Sequence, residues 1–499
     1  MGIAFVGWVV NRLKVWVRQT AMGLNRARAT TAEPTAALGI EVAARGELSR
    51  GVFRDFVAPP RRHEFNHVDV LLADTGADAI GHDLPAVVLS GHPQLAVPAF
   101  DPASFNPIGW QRDVKNQVGA LGWPRLLPTG VTADLTVSLN DLEKARQCHH
   151  LVDVQRFHRS SVERAGVLVR LAASGVPVHL VDGGSELEPL LGSELYSLMM
   201  TDIRGKGATA RELLSVALRR GAFRDHTLRA RARQVSRIAG LDVAPDPTVS
   251  VLLATKRPSH LGHALGNIAK QTYRPLEVVL ALHGDEFEDV AVEHAIARLD
   301  VPVTVRPVGG SAPLGLVLRI ATDAAGGDFV TKMDDDDVYD ASHVGDLMTA
   351  YGFSGAELVG KYHEVNYLAS TDQTVEVKRG MGESYSLHVS GAALLMARPD
   401  LHRFGGWQRI PAGVDSALAD DVLRGGGTIY RTHGAGFICV RHGQRHGHTW
   451  QASDDEDVDR AEAVHDGWCP WLAGMPDAQL PRQPTEASPA GASQSGIGV

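Results

Sequence analysis

A chain of 499 residues with 44% hydrophobic and 21% charged residues is long enough for two to four domains with full cores, which excludes wholesale disorder. The formal net charge of -9 excludes a general nucleic-acid binder. Aromatic residues are only 6% while glycines number 52, so many turns and close backbone approaches are expected.

Residues 3–17 read IAFVGWVVNRLKVWV. The apolar run before Asn11 is too short to span a bilayer, and a signal peptide would carry its charges ahead of the run rather than behind it. Two readings stay open. One is a loosely packed leader. The other is an interfacial helix with Trp8 and Trp16 in the headgroup boundary and Arg12, Lys14 and Arg18 on anionic lipid, which would hold the chain at the inner face of a membrane. Residues 24–60, rich in Ala, Thr, Pro and Arg, read as a linker, closing a leader region over 1–60.

His67–Ala73 and Ala86–Ser90 read as short buried strands, and Leu135–Leu139 is a further candidate. Ser160–Ser174 carries Val162, Ala165, Leu168, Leu171 and Ala172 at helical spacing. Gly175 stops that helix and Val176–Val181 follows as a strand, the αβ unit of a Rossmann-like domain over 61–243. Glu212–Arg237 reads as one long basic helix, either a solvated face or a contact for a phosphate-bearing acceptor or a membrane. Cys148, Cys439 and Cys469 lack metal or redox spacing and fit a reducing, cytoplasmic compartment. The proline-bearing stretch Ala244–Thr248 marks a boundary, a second domain is expected over 244–474, and the tail from 475 is expected to be disordered.

The second domain carries the chemistry. Val249–Ala254 is a buried parallel strand by its β-branched apolar run, ended by Thr255, Lys256, Arg257 and Pro258. A helix over His260–Lys270 and a strand over Leu276–Leu282 complete a βαβ unit. Ligands bind such sheets beyond the carboxyl ends of the strands, so Thr255–Pro258 and His283–Glu286 fall where a nucleotide could bind. In Gly327–Asp337 (GDFVTKMDDDD) a short apolar strand runs into Asp334, Asp335, Asp336 and Asp337. Four adjacent carboxylates repel one another unless a cation neutralises them. Strand alternation would turn Asp334 and Asp336 to one side. Hard oxygen ligands of this kind suit Mn²⁺ or Mg²⁺ bridging to phosphate oxygens, the bland alternative being a solvated acidic turn.

From 248 to about 440 the chain resembles the family 2 glycosyltransferases of the GT-A fold. The resemblance is carried in order by VSVLLATKRP, LGNIAKQTYRPLEVVLAL, AAGGDFVTKMDDDDVYD, SGAALLMARPDLHRFGGW and VDSALADDVLRGGGTIYR. It implies a mixed α/β nucleotide-diphospho-sugar transferase domain with a Rossmann-like sheet. The implied activity is inverting transfer from a nucleotide-sugar donor to a cell-envelope glycan, glycolipid or protein. The family's Asp-x-Asp-Asp motif falls on Asp334, Asp336 and Asp337, which implies Asp334 near the nucleotide ribose, Asp336 as the main metal ligand and Asp337 beside it. Thr255, Lys256 and Arg257 would also meet the donor.

The family's general base falls on Asp415 in the segment Val414–Leu418, with Asp420 and Asp421 as competitors and helix capping as the bland alternative. Among His433, His442, His446 and His448, the resemblance favours His442 as the late metal or phosphate contact, and Arg441 and Arg445 could offset diphosphate charge. Trp407 matches an aromatic that lines the acceptor pocket or anchors the core. One departure stands out: Leu282 and His283 precede Gly284 where the family carries an acidic pair that recognises the base, so Asp285 or Glu286 would have to substitute.

The region 66–240 more distantly resembles the nucleotide-binding half of GT-B glycosyltransferases, without a complete donor motif, and is expected to be an accessory domain for acceptor binding or assembly. Two other functions compete. A nucleotidyltransferase would need glycines that Thr255–Pro258 lacks, and a non-catalytic glycan-binding protein would have no need of the intact acidic run.

Overall fold

The computed structural model describes residues 92–110, 118–120, 139–153, 158, 160–181, 183–241, 245–377, 382–442, 457–459 and 461–480, together with four strands between 39 and 88. The leader through residue 38 and the tail from 481 lie outside the described residues. No helix among those described is long and apolar enough to cross a membrane.

Strands β1 (Gly39–Ala44), β2 (Glu47–Val52), β3 (Val68–Ala73) and β4 (Ala86–Val88) form a sheet in the order β2-β1-β3-β4. β3 and β4 pair in parallel where short strands are expected. β1 and β2 form an antiparallel hairpin within the stretch read as a linker. Ile40 and Val42 alternate with Glu41 there, a period-two pattern too short to stand out in an Ala- and Arg-rich stretch.

A second, three-stranded parallel sheet follows in the order β5-β6-β7, from β5 (Val118–Ala120), β6 (His150–Asp153) and β7 (Val178–Leu180). Leu139, the last residue of the candidate strand 135–139, instead opens helix α1 (Leu139–Arg146); residues 135–138 lie outside the described residues. Helix α2 (Ser161–Ala173) is capped by Ser160, whose side chain accepts from the Glu163 N–H at 3.1 Å, and it buries Leu168, Leu171 and Ala172 completely. Gly175, at φ +77°, takes the left-handed turn that ends it.

The basic stretch is two helices, α3 (Ala208–His226) and α4 (Leu228–Ile238). Thr227 is extended between them and caps α4 through its hydroxyl, which accepts from the Ala230 N–H at 3.1 Å. Several of its arginines leave the solvent, which corrects the reading as a solvated face. Arg211 donates to the carbonyls of His149 at 2.6 Å and Cys148 at 3.0 Å, and Arg231 donates to that of Val97 at 2.8 Å. Arg219 pairs with Glu383, and Arg220 reaches Asp340 at 2.9 Å and Asp346 at 2.7 Å. A guanidinium carries five donors on a long apolar stem, so it can fill a packed interface and still satisfy buried acceptors. Arg219 and Arg220 join the N-terminal region to the next domain, while Arg211 and Arg231 tie the N-terminal region together.

That domain holds an eight-stranded mixed sheet. Its parallel half is β8 (Val249–Thr255), β9 (Leu276–His283), β10 (Val303–Val308) and β11 (Phe329–Lys332). Between them run helices α5 (Leu261–Ala269), α6 (Asp289–Ile296) and α7 (Leu314–Asp323). Beyond β11 come β12 (Val338–Tyr339), α8 (His343–Ser354), β13 (Leu358–Gly360), β14 (Val365–Leu368), β15 (Gln373–Val377), β16 (Ser384–Tyr385) and β17 (Leu394–Ala397). The domain ends with α9 (Val414–Arg424), β18 (Ile429–Arg431), β19 (Phe437–Arg441) and β20 (Ala461–Asp466).

The strand order is β10-β9-β8-β11-β17-β13-β18-β16, with a second sheet β12-β19-β14-β15-β20. Alternation along β8 sends Val249, Val251 and Leu253 into the core under α5 and α8, and Leu252 into the core under α7 and α9. Gly315 lets α7 approach the next segment closely, because a Cβ there would lie 1.7 Å from the Gln408 carbonyl oxygen. The mixed α/β class and Rossmann-like sheet agree with expectation. The packed body runs past 474: Met475 is buried, and Trp468 Nε1 donates to the Ala478 carbonyl at 2.7 Å.

Candidate functional site

The order β10-β9-β8-β11 fixes where a ligand can sit. From β8 the chain builds outward through β9 and β10 on one side, while β11 lies on the other. The crevice at the carboxyl ends of β8 and β11 is therefore the topological switch point, where loops diverge and leave an opening. β8 delivers Thr255 to that rim, with Lys256 and Arg257 directly after it. β11 delivers Lys332 and then the acidic run.

The run does not continue the strand. β11 ends at Lys332 and the chain bends over Asp335–Asp337 before β12, so strand alternation does not govern the run, and each carboxylate goes its own way. Asp334 is the most exposed; it pairs with Lys332 Nζ while its N–H donates to the Tyr339 hydroxyl at 2.8 Å. Asp335 accepts from the Thr255 hydroxyl and from Arg257, whose Nε lies at 3.2 Å. Asp336 Oδ2 lies 2.8 Å from Arg257 Nη2 and 3.7 Å from His442 Nε2.

Asp337 turns into the protein, away from the place expected of a metal ligand. Its Oδ1 accepts from the Val440 N–H at 2.9 Å, and its carbonyl accepts from Asn267 Nδ2 at 2.9 Å. Burial, with Asp336 and Asp334 adding to it, pushes the Asp337 carboxyl well above the usual carboxylate range. It braces the bend against β19. Crowded carboxylates separate in this way because four of them cannot share one solvated cavity.

Cations from the protein compensate the run. Burial opposes the charge on Lys332, but Asp334 and Asp415 outweigh it and raise its pKa. Burial likewise opposes Arg257, and Asp335 and Asp336 outweigh it. Lys256 turns the other way and donates to the Gly310 carbonyl at 3.3 Å. Asp285 and Glu286 are exposed beyond β9, following Gly284 at φ +125°. His283 is buried at the strand end, and its Nε2 has no hydrogen-bond partner among the described residues.

Asp415 lies in the first turn of α9, where the N-cap is Gly413 and no side chain caps the helix. It is therefore not the cap. Its seat is Gly391: a Cβ there would fall 2.3 Å from Asp415 Oδ2 and 2.7 Å from Asp415 Cβ. Of its competitors, Asp421 is held by Gln408 at 2.7 Å and Arg424 at 2.8 Å, and Asp420 is exposed. Val414 packs into the core with Leu418, which leaves Asp415 on the side of Lys332.

The remaining expectations divide. His433 is buried 3.5 Å from Asp346, and Arg441 lies 3.4 Å from Asp457, so neither belongs to the acidic run. Arg445, His446 and His448 lie outside the described residues. Trp407 is a core anchor, 1% exposed, with its Nε1 donating to the Thr322 hydroxyl at 3.0 Å. It is too deep to line an acceptor pocket. Two residues were not foreseen. Asp335, between the motif positions, takes both Thr255 and Arg257. His260 is 4% exposed, its ring lies 5.6 Å from that of His442, and its Nδ1 has no hydrogen bond among the described residues. Neither is visible without knowing which loop faces which.

Among the described residues no three His, Cys, Asp or Glu side chains form a ready metal cage. Asp336 and His442 are a carboxylate–imidazole pair on one spot, a donor set that suits Mn²⁺ and tolerates Mg²⁺. Such ions are commonly held by one or two protein groups, the other positions going to phosphate oxygens and water. The residues present therefore fit a divalent ion shared with a diphosphate. Two cavities, of about 400 and 680 Å³, lie between α5 and α6 and between α3–α4 and α8; neither contains the acidic run.

No family model matches the chain, and no curated protein matches it. Similar solved structures include S. aureus TarS 1–349 in complex with UDP-GlcNAc, at 14% identity over 40% of this chain and 60% of that one, with a TM-score of 0.33. Another is the mannosyltransferase PcManGT from Pyrobaculum calidifontis in complex with GDP-Man and Mn²⁺, at 18% identity over 41% of this chain and 61% of that one, with a TM-score of 0.32. The chain spans about three fifths of the length of these structures. Likeness at this level settles neither family nor activity, so function has to be argued from the site itself.

Proposed function

We propose that this chain is an inverting glycosyltransferase that moves a sugar from a nucleotide-sugar donor to a glycan, glycolipid or protein acceptor. The observation that carries the reading is the meeting of three parts on one rim: the loop after β8, the acidic bend after β11, and Asp415 at the head of α9. A donor's diphosphate suits the first two, and its sugar would then face the third.

In this reading Asp336 and His442 would hold Mn²⁺ or Mg²⁺, which would supply positive charge to offset that of the diphosphate. Asp334, the most open carboxylate, faces the ribose. Thr255 and Asp335 fix the loop on which Arg257 sits. Asp415 takes the proton of the acceptor hydroxyl as its oxygen attacks the anomeric carbon; the bond to the diphosphate breaks on the opposite face, and the configuration inverts. Gly391 lets the backbone come close enough to hold that carboxylate in place.

Calorimetry with a panel of nucleoside diphosphates, with and without Mn²⁺, tests the donor site in the wild type and in Asp336→Ala. The expected result is metal-dependent binding of one base over the others, lost in the folded variant. Unchanged metal-dependent affinity in Asp336→Ala would remove Asp336 from the site.

A further inference from the structure

We propose that Arg257 and a divalent cation compete for Asp336, and that the displaced guanidinium then takes the donor's diphosphate. The inference rests on the glycosyltransferase reading and adds an ordering device to it. Asp336 Oδ2 faces two groups, Arg257 Nη2 at 2.8 Å and His442 Nε2 at 3.7 Å. A cation seated on Asp336 and His442 needs that oxygen, and a guanidinium in contact with it would repel a dication at short range. The two therefore compete for Asp336.

Arg257 is built to move a short way without being lost. Its N–H is clamped by the Thr255 hydroxyl at 3.0 Å, and that hydroxyl is itself bonded to Asp335. Its Nε lies 3.2 Å from Asp335, a contact that does not involve Asp336. Giving up Asp336 therefore leaves the side chain pivoted on Asp335, with 32% of it already exposed at the rim. A planar guanidinium with five donors matches the paired oxygens of a diphosphate. On the far side, His260 backs His442 at 5.6 Å and is nearly fully buried, so the imidazole that would share the cation is braced.

Two consequences have opposite signs. Arg257 weakens cation binding when no donor is present, because it must first be displaced. It strengthens diphosphate binding once the cation is in place. Linkage makes the coupling reciprocal, so donor and cation favour each other. Removing a group that merely supported the fold would instead weaken both.

The test uses the full chain. Mn²⁺ binding is followed by loss of the free-ion paramagnetic resonance signal in wild type, Arg257→Gln, Arg257→Lys and Asp336→Asn. Pyrophosphate affinity is then measured by calorimetry at saturating Mn²⁺. Arg257→Gln is expected to bind Mn²⁺ about 10–100-fold more tightly, the equivalent of one charge-assisted hydrogen bond, and to bind pyrophosphate at least about 10-fold more weakly. Arg257→Lys keeps a cation in place and guards against a folding defect; it should fall between. Asp336→Asn should lose Mn²⁺. Mn²⁺ affinity unchanged or reduced in both Arg257 variants overturns the exchange and leaves the glycosyltransferase reading standing. No Mn²⁺ binding by any form overturns both the exchange and the metal assignment beneath it.

Discussion

Two strands in this molecule lead into acid, one in a parallel sheet and one in the mixed sheet, and they do so differently. β6 closes on Asp153, which is fully buried, with Arg164 Nε at 2.6 Å on one carboxylate oxygen and His158 Nε2 at 2.7 Å on the other. Both partners come from the segment immediately following, so the charge is satisfied locally and nothing opens to solvent. β11 leads into four aspartates whose partners come from several elements: Lys332 from the strand itself, but Arg257 from beyond the end of β8 and His442 from just beyond β19. Compensation there is shared among several elements, and Asp334, although paired with Lys332, stays partly exposed. An acid saturated by its own neighbours is a strut. Acids held by residues from separate strands at a switch point can release them to a ligand. By this measure the N-terminal sheet braces the molecule, and the second sheet is the one suited to the proposed donor site.

The largest effect expected from that contrast is at Asp415. Asp415→Asn is nearly isosteric and should lower turnover by about 10²–10⁴-fold while donor affinity survives, since general-base catalysis contributes about that much. Asp420→Asn and Asp421→Asn should do less, because one side chain is exposed and the other is spent on Gln408 and Arg424. Steady-state rates of the three variants with a matched donor and acceptor decide it. A dead Asp421 variant beside an active Asp415 variant would move the base along α9.

At β6 the effect should fall on stability instead. Arg164→Met leaves the buried Asp153 without its main partner, and breaking a buried pair from one side costs about 3–5 kcal/mol. Denaturant unfolding should show that loss, with transfer per folded molecule unchanged. A variant of normal stability and impaired transfer would mean that the N-terminal sheet is part of the site.

A subtler change separates placement from chemistry. Gly391→Ala puts a methyl 2.7 Å from Asp415 Cβ, too close for the carboxylate to escape by rotating, so the whole side chain must shift. Turnover should fall about 10–100-fold with the donor dissociation constant unchanged, as a displacement of about 1 Å can cost that much. Loss of donor binding instead would place Gly391 on the nucleotide side.

A separate expected effect is a pH dependence of stability in the N-terminal region. Burial lowers the pKa of His226 to about 4, and burial with His149 beside it lowers that of His150 to about 4. His226 Nε2 donates to the Leu191 carbonyl at 3.1 Å, and its Nδ1 is buried with no partner among the described residues. The unfolded chain takes up these protons near pH 6.5 and the folded one resists until about 4. Stability is therefore fully present above about pH 6.5 and falls as the pH drops toward 4. Unfolding midpoints across that window check it, and His226→Gln should flatten the curve.

Much of the second domain is written in its sequence. Near-continuous apolar runs with β-branched residues, such as VSVLLAT, read as buried strands when helices with one apolar face separate them. The acid after β11 and the short polar segment after β8 follow from where those strands stop. N-terminal to this, the hairpin at 39–52 is hidden by composition, and the break at Thr227 inside a basic, apparently continuous helix depends on one capping hydroxyl. The direction taken by each carboxylate was beyond the reach of sequence. Side-chain alternation holds only while the backbone stays extended, and the chain bends over Asp335–Asp337, so Asp335 faces Arg257 while Asp337 turns to Val440. Trp407 is read equally well as pocket or core until Thr322 is found beneath it. Local patterns determine which elements form and where they end, because they depend on neighbours in the chain. Which charge meets which depends on neighbours across the sheet, and the strand order β10-β9-β8-β11 decides that.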